Sequence, residues 1–498
     1  MRLLAPPIRL AGEMGEGLEA GDKYCSEVCR KRRGTTQRLK PGVIIRSDGD
    51  DALGTNGLKR AEETIIVGSN ESKQPGVVMA EDSCLDGFTI TNVGTYDDAV
   101  WKKHFDSHGE ELGDEEGSVQ VEGTNAAISI HGVSCTVAQC IVQHNGDVGI
   151  GVLGKEETRT VPLITGNLVY RNMGGGIGVA EGAEPIIRGN TCKENLRAGI
   201  GCRRANPIII DNVCFQNIRA GIGCREGSKA VMRGNKCCQN RRAGIGIRMN
   251  GTAPVVEGNE CSENEMAGIG CRDGASPILR NNVCCRNKMA GIGCRDGAKP
   301  LIVGNECQEN ELAGIGVQTK AVAIIQQNKW IENRLVAIGV TEESTATITD
   351  NEVSRTGGVP PLIAVKDGSI ATILDNRISG GGVAAVLVQG NATVGGNTFV
   401  GVGAKQGNAV WVWEDSTAII SENSFDGYRA AVVVTKPAAV IIRGNNIKQF
   451  QETAIIVTDS QTPAHVYSNT ATSSDPNAKV VDVQGKSGVV ELNNLRME

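Results

Sequence analysis

Apolar residues recur along this chain in two rhythms. Over short runs they alternate with polar ones, as in ASPILRNN and AGIGCR, the two-residue period of strands that turn one face inward. Over longer distances the whole motif returns, in rows such as GNTCKENLRAGIGCR, DNVCFQNIRAGIGCR and GNECSENEMAGIGCR. The first Asn of successive rows is Asn190, Asn212, Asn235, Asn259, Asn282 and Asn305, a period of 22 to 24 residues. The second follows five residues later, at Asn195, Asn217, Asn240, Asn264, Asn287 and Asn310. A fixed period of this length marks a solenoid, in which each repeat buries its apolar face only against its neighbours.

Each repeat reads as three short strands. One precedes the first Asn, one carries the residue two places after it, and AGIGCR forms the third. Stacked about 4.8 Å apart, such strands make three parallel sheets. The expected fold is therefore all-β, a three-sheet parallel β-helix solenoid with 22–24 residues per coil. The Asn residues read as structural, because Asn tolerates left-handed corners and its amide can bond the next Asn in a stack. The expected organisation is a tail over 1–36, a β-helix over 37–472 with a polar insertion at 93–118, and a cap over 473–498.

Composition adjusts this picture little. The 65 glycines and 3% aromatics suit thin coils with tight turns. A net charge of −6 gives no reason to expect a nucleic-acid partner, and no apolar run is long enough for a membrane span. The amino-terminal pattern is not that of a secretory signal, which favours the cytoplasm over export.

The 17 cysteines are more informative by position than by number. Cys192, Cys214, Cys237, Cys261, Cys284 and Cys307 lie two residues after the first Asn; Cys202, Cys224, Cys271 and Cys294 follow Gly-Ile-Gly. Elsewhere these slots hold Ile247, Val317, Trp330, Val353 and Phe399, so they point inward and the thiols pack as small hydrophobes. Two rival readings are disulfides across a coil, such as Cys192 with Cys202, and metal binding by the ladders.

The motif G-N-x-C/I-x-x-N-x-x-A-G-I-x-V/C, with LDGFTIT at Leu85–Thr91, resembles the pectin-lyase-like right-handed parallel β-helix superfamily over residues 40–470. RAGIGCREG and GASPILRNN are most similar to the carbohydrate-binding/sugar-hydrolase β-helix repeats. The resemblance implies a right-handed coil but no particular activity. The chain lacks the Asn-Thr-Asp and Gly-His-Gly set of polygalacturonases, the Arg-x-Pro-x-x-Arg of pectate lyases and the Asp-Pro-His of alginate epimerases. Asp50 and Asp51 form an acidic pair with no partner set in the sequence.

Three features stand out from the scaffold. Arg203, Arg225, Arg248, Arg272 and Arg295 form an outward column beside Gly201, Gly223, Gly246, Gly270 and Gly293, with Glu226, Asp273 and Asp296 placed to neutralise it. Either this is a salt-bridged solvated face or a groove for an acidic partner segment or acidic glycan. Further along, the glycine slot becomes Ala364, Leu387, Trp411, Val433 and Ile456, with Trp413 in the arginine column, an apolar stripe expected to be covered. Finally, His104 and His108 stand at i, i+4 in the insertion and His131 lies in an outward slot, a candidate set for a metal ion. The favoured reading is a non-catalytic binding or structural β-helix that presents a long face to a protein partner or to a second copy. The alternatives are a polysaccharide lyase or hydrolase with its site near 93–118, and a metal-handling protein.

Overall fold

The computed structural model describes residues 23–25, 31–33, 36–69, 73–108, 126–402, 407–437, 439–451, 453–460, 462–486 and 488–497. Most of the expected tail, and 109–118 of the expected insertion, lie outside them. The chain forms two compact units, Met1–Glu265 and Met266–Glu498, built on one plan.

That plan is the predicted one. In unit 1 a typical coil has strands Ile186–Arg188, Thr191–Lys193 and Ile200–Arg203, and the next has Ile208–Ile210, Val213–Phe215 and Ile222–Arg225. They pair parallel and in register, with Ile187 beside Ile209, Cys192 beside Cys214 and Ile200 beside Ile222. The result is three parallel sheets, called here first, second and third in coil order. Unit 2 repeats them, for example with Ile278–Arg280, Val283–Cys285 and Ile292–Cys294. Within the stretch read as a tail, Lys23–Cys25 and Lys31–Arg33 pair with Ile44–Arg46 and Ile65–Val67. The stretch read as a cap adds one more coil, as Lys479–Gln484, Val489–Leu492 and Leu495–Met497 pair with the strands before them.

The Asn ladders hold this register. In unit 1 the Nδ2 of Asn190 donates to Asn212 Oδ1 at 3.0 Å and to the Ile164 carbonyl at 2.9 Å. Asn195 treats Asn217 and the Val169 carbonyl in the same way. In unit 2 the ladder runs from Asn282 to Asn305 and Asn328, and ends on Asn494. These amides are buried, so each satisfied ladder bond contributes about 1 kcal/mol and each broken one leaves orphaned partners. One expectation changes: the left-handed residue is the one before the Asn. Asp211, Gln216, Glu194 and Asn281 have φ near +55°, whereas Asn212, Asn217, Asn195 and Asn282 do not.

The inward columns are apolar. Cys192, Cys214, Cys237 and Cys261 are fully buried in unit 1, and Cys284, Cys307 and Trp330 stack in unit 2. Cys192 and Cys202 form no disulfide; in register, Cys192 lies beside Cys214 and Cys202 beside Cys224 in the next coil. Neighbouring thiols and burial push Cys192 and Cys237 above the ordinary range, and burial takes Cys140 up to about 12.

The insertion supplies a helix, Asp98–Asp106, capped by the Asp97 carboxylate on the Val100 N–H. Its Trp101 is buried against Leu196 and Ile218, with Tyr96, Phe105 and Met173 packed around. Trp101 donates to the Glu194 carbonyl at 3.2 Å, and Arg171 lies over its ring at 4.4 Å. No described helix is long and apolar enough to cross a membrane.

Candidate functional site

The helix packs on Leu196 and Ile218, and the residues that follow these in sequence are Arg197 and Arg219. They occupy the turn between the second and third sheets, one coil above another. The Arg219 N–H donates to the Arg197 carbonyl at 3.3 Å and the Arg242 N–H to the Arg219 carbonyl at 3.4 Å. A second column, Arg203, Arg225 and Arg248, stands in register on the third sheet itself. Between the two columns runs the glycine row Gly201, Gly223 and Gly246.

These glycines are not explained by the chain around them. None has a positive φ. A Cβ at Gly201, Gly223 or Gly246 would meet only an alanine methyl, at 4.0, 3.8 and 3.5 Å. Two positions earlier the situation is different. A Cβ on Gly221 would fall 2.8 Å from the Gly244 carbonyl oxygen and 3.1 Å from Cys237 Cβ, so that glycine is required by packing. The outward row therefore keeps a trough open at the expense of strand stability.

The trough is strongly cationic. Arg219 has no ion pair among the described residues, and its guanidinium is pulled down to about 10, first by burial and then by Arg197, Arg242, Arg248 and Arg225. Arg225 is lowered too, by burial and by Arg248, Arg203 and Arg197, although Glu226 lies 3.4 Å away. Neutralisation of the predicted column is real but partial: Arg203 pairs with Glu181 at 2.9 Å, while Arg204 is shared between Glu181 and Glu226. In unit 2, Arg272 and Arg295 each lie 3.4 Å from the following aspartate, Asp273 or Asp296.

The other candidates are placed as follows. Ala364, Leu387 and Val433 are 4%, 8% and 7% exposed, so the expected stripe is mostly closed within unit 2. Trp411 and Trp413 remain half-buried, their rings 4.5 Å apart, with Trp411 Nε1 on Thr435 Oγ1. His104 is half-buried on the helix, His108 pairs with Glu265 at 3.2 Å, and His131 ends a third-sheet strand. Among the described residues no three metal-ligating side chains are grouped to hold an ion. Asp51, read as lacking partners, is held below the usual carboxylate range by a hydrogen bond from the buried Arg60, which also binds Asp86 at 2.7 Å; this pairing serves the fold.

Sequence reasoning missed the column Arg197, Arg219 and Arg242. The signal was present in LRAGIG, IRAGIG and RRAGIG, but the variable residue before Ala was not sorted by exposure.

A comparison with protein-family models agrees with this architecture. The family model described as right handed beta helix region matches residues 117–259, 241–364, 286–425 and 361–494. None of the curated proteins compared with the chain matches it. Among solved structures, the periplasmic alginate epimerase AlgG is 13% identical with a TM-score of 0.47, over 70% of this chain and 79% of that one. The pre-mature bacteriophage phi29 gene product 12 is 10% identical with a TM-score of 0.45, over 94% and 69%. An alginate lyase from Paenibacillus sp. str. FPU-7 is 14% identical with a TM-score of 0.32, over 49% and 88%.

Proposed function

The chain belongs to the right-handed β-helix family, and from that premise we propose that unit 1 is a binding module for a linear, carboxylate-bearing glycan laid along the arginine trough. The observation that carries this reading is the pairing of an open glycine floor with Arg197 and Arg219, which have no ion pair among the described residues and stand among further arginines. Mutual repulsion among stacked guanidinium groups is relieved by bringing anions between them, and the planar fork of Arg suits carboxylates.

The form of the trough favours a glycan over an acidic peptide. Its floor is the face of a sheet whose backbone groups are already paired from coil to coil, so an added strand finds no free ladder. An extended peptide also shows like-facing side chains only every ~6.6 Å, against arginines stacked about 4.8 Å apart.

The test is calorimetric titration with size-fractionated uronate oligomers, with poly-glutamate as the competing class. The reading predicts saturable uronate binding that weakens as salt is raised. Arg219→Met should lower the affinity about 10- to 100-fold. Equal binding by wild type and Arg219→Met, or tighter binding of poly-glutamate, would overturn it.

A further inference from the structure

The arginine turn column has a definite head. Backbone bonds carry it from Arg197 back to the Gly174 carbonyl at 3.1 Å, and from the Gly174 N–H to the Asp147 carbonyl at 3.2 Å. Asp147, Gly174, Arg197, Arg219 and Arg242 are thus successive occupants of one slot. Gly174 leaves no side chain between Asp147 and Arg197 in this slot. A Cβ there would lie 2.5 Å from Asp147 Oδ1, so the carboxylate occupies the space that a side chain would fill.

The opposite wall changes at the same level. In register with Arg203, the two preceding coils carry Ala180 and Leu153, so the second arginine column stops where Asp147 begins. The glycine row continues in register through Gly178 and Gly151, but the trough narrows: a Cβ would meet Val148 Cγ1 at 3.4 Å at Gly178 and Ala126 Cβ at 2.7 Å at Gly151. A ligand can therefore extend one coil past Arg197, over Gly178, and there meets a carboxylate instead of a guanidinium. Asp147 is half-buried, and burial raises its pKa while Arg197 and the Val148 N–H oppose the rise.

Resting on the binding reading above, we infer that Asp147 is the specificity-determining end of the trough: it competes with the ligand for Arg197 and selects a chain that is uncharged beyond that point. The charged stretch of the ligand is held against Arg197, Arg219 and Arg242, and the next sugar toward Asp147 is one whose acid group is absent, esterified or reduced. A fully charged chain is repelled at this position, because like charges brought together in a partly dry site are penalised.

The experiment compares two uronate oligomers of equal length, one fully charged and one with a carboxyl-reduced terminal sugar, on wild type, Asp147→Asn and Arg219→Met. Wild type should prefer the oligomer with the reduced end by ~3–10-fold. In Asp147→Asn that preference should vanish through a gain for the fully charged oligomer, and the salt dependence of its binding should steepen by about one charge. Thermal unfolding checks that the near-isosteric change leaves the coils intact. If wild type and Asp147→Asn show the same preference while Arg219→Met loses both ligands, the inference fails and the binding reading stands. Loss of neither ligand in Arg219→Met, or no binding to wild type, removes both.

Discussion

The coils at 190–248 in unit 1 and those at 266–340 in unit 2 share a backbone and differ in what they show to the outside. In unit 1 the slot two residues after the second Asn is Arg197, Arg219 and Arg242; in unit 2 it is Met266, Met289, Leu312 and Leu335. The hydrogen bonds that stack this slot are the same, Met289 N–H to the Met266 carbonyl and Leu312 N–H to that of Met289, at 3.3 and 3.0 Å. Met289, Leu312 and Leu335 are about two-fifths exposed, so burial does not select their apolar character. The arginine column beside the glycines also thins, from Arg203, Arg225 and Arg248 to Arg272, Arg295, Gln318 and Thr341. One scaffold thus carries a cationic trough in one unit and an apolar rim in the other. What varies at fixed geometry is where binding specificity resides.

The sharpest way to break this comparison is to attack what the units share. Asn217 in unit 1 donates to the Cys192 carbonyl and to Asn240 Oδ1, and Asn310 in unit 2 donates to the Cys284 carbonyl and to Asn333 Oδ1. Each Ala substitution should cost about 3–5 kcal/mol in denaturant unfolding, since several buried partners are orphaned together. A large inequality between the two would mean that the scaffolds are not equivalent.

The two kinds of glycine give the next largest effect. Gly221→Ala presses a methyl against the Gly244 carbonyl and Cys237 and should cost about 1–3 kcal/mol. Gly223→Val, two residues on, should be neutral or stabilising while filling the trough and abolishing uronate binding. Loss of stability in Gly223→Val would show that this glycine serves the chain and not a ligand. Smaller again is the exchange of slot chemistry. Arg219→Met, which copies unit 2, should raise stability by about 0.5–1 kcal/mol as repulsion is relieved, even as binding is lost. A drop in melting temperature would contradict a trough strained by its own charge.

These contrasts also mark what could be read in the sequence. The coil, its three strands, the inward Cys slots and the Asn ladders followed from periodicity, because a residue repeated at fixed spacing must meet its own copy. Arg203, Arg225 and Arg248 were legible for the same reason. Arg197, Arg219 and Arg242 were not, because their slot changes to Met and Leu within three coils, and a periodic reading discounts variable positions. Asp147 was further out of reach. It is the one acid in its slot, within the row AQCIVQHNGDVGIGV, and its importance comes from Gly174 and Arg197 in the next two coils. The apolar stripe was legible only as a face to be covered: alternation marked Leu387 and Val433, and both are buried, but it did not say by what.

The smallest effect concerns Asp147 without any ligand. Burial lifts its carboxyl above the unfolded value of 3.8, so the folded protein holds the proton more tightly than the unfolded chain does. Stability must then fall as pH rises from about 3.8 through the folded pKa, and level off above it. Asp147→Asn removes this term. The variant should unfold at a higher temperature than wild type at neutral pH, with the gap closing as pH falls toward 3.8. The equivalent slot in unit 2 has no such acid among Met266, Met289, Leu312 and Leu335, so the pH-dependent difference should appear in the cooperative unfolding of unit 1 alone. A gap that widens at low pH would mean that Arg197 outweighs burial, and that Asp147 stabilises the head of the trough as an ion pair instead of guarding it.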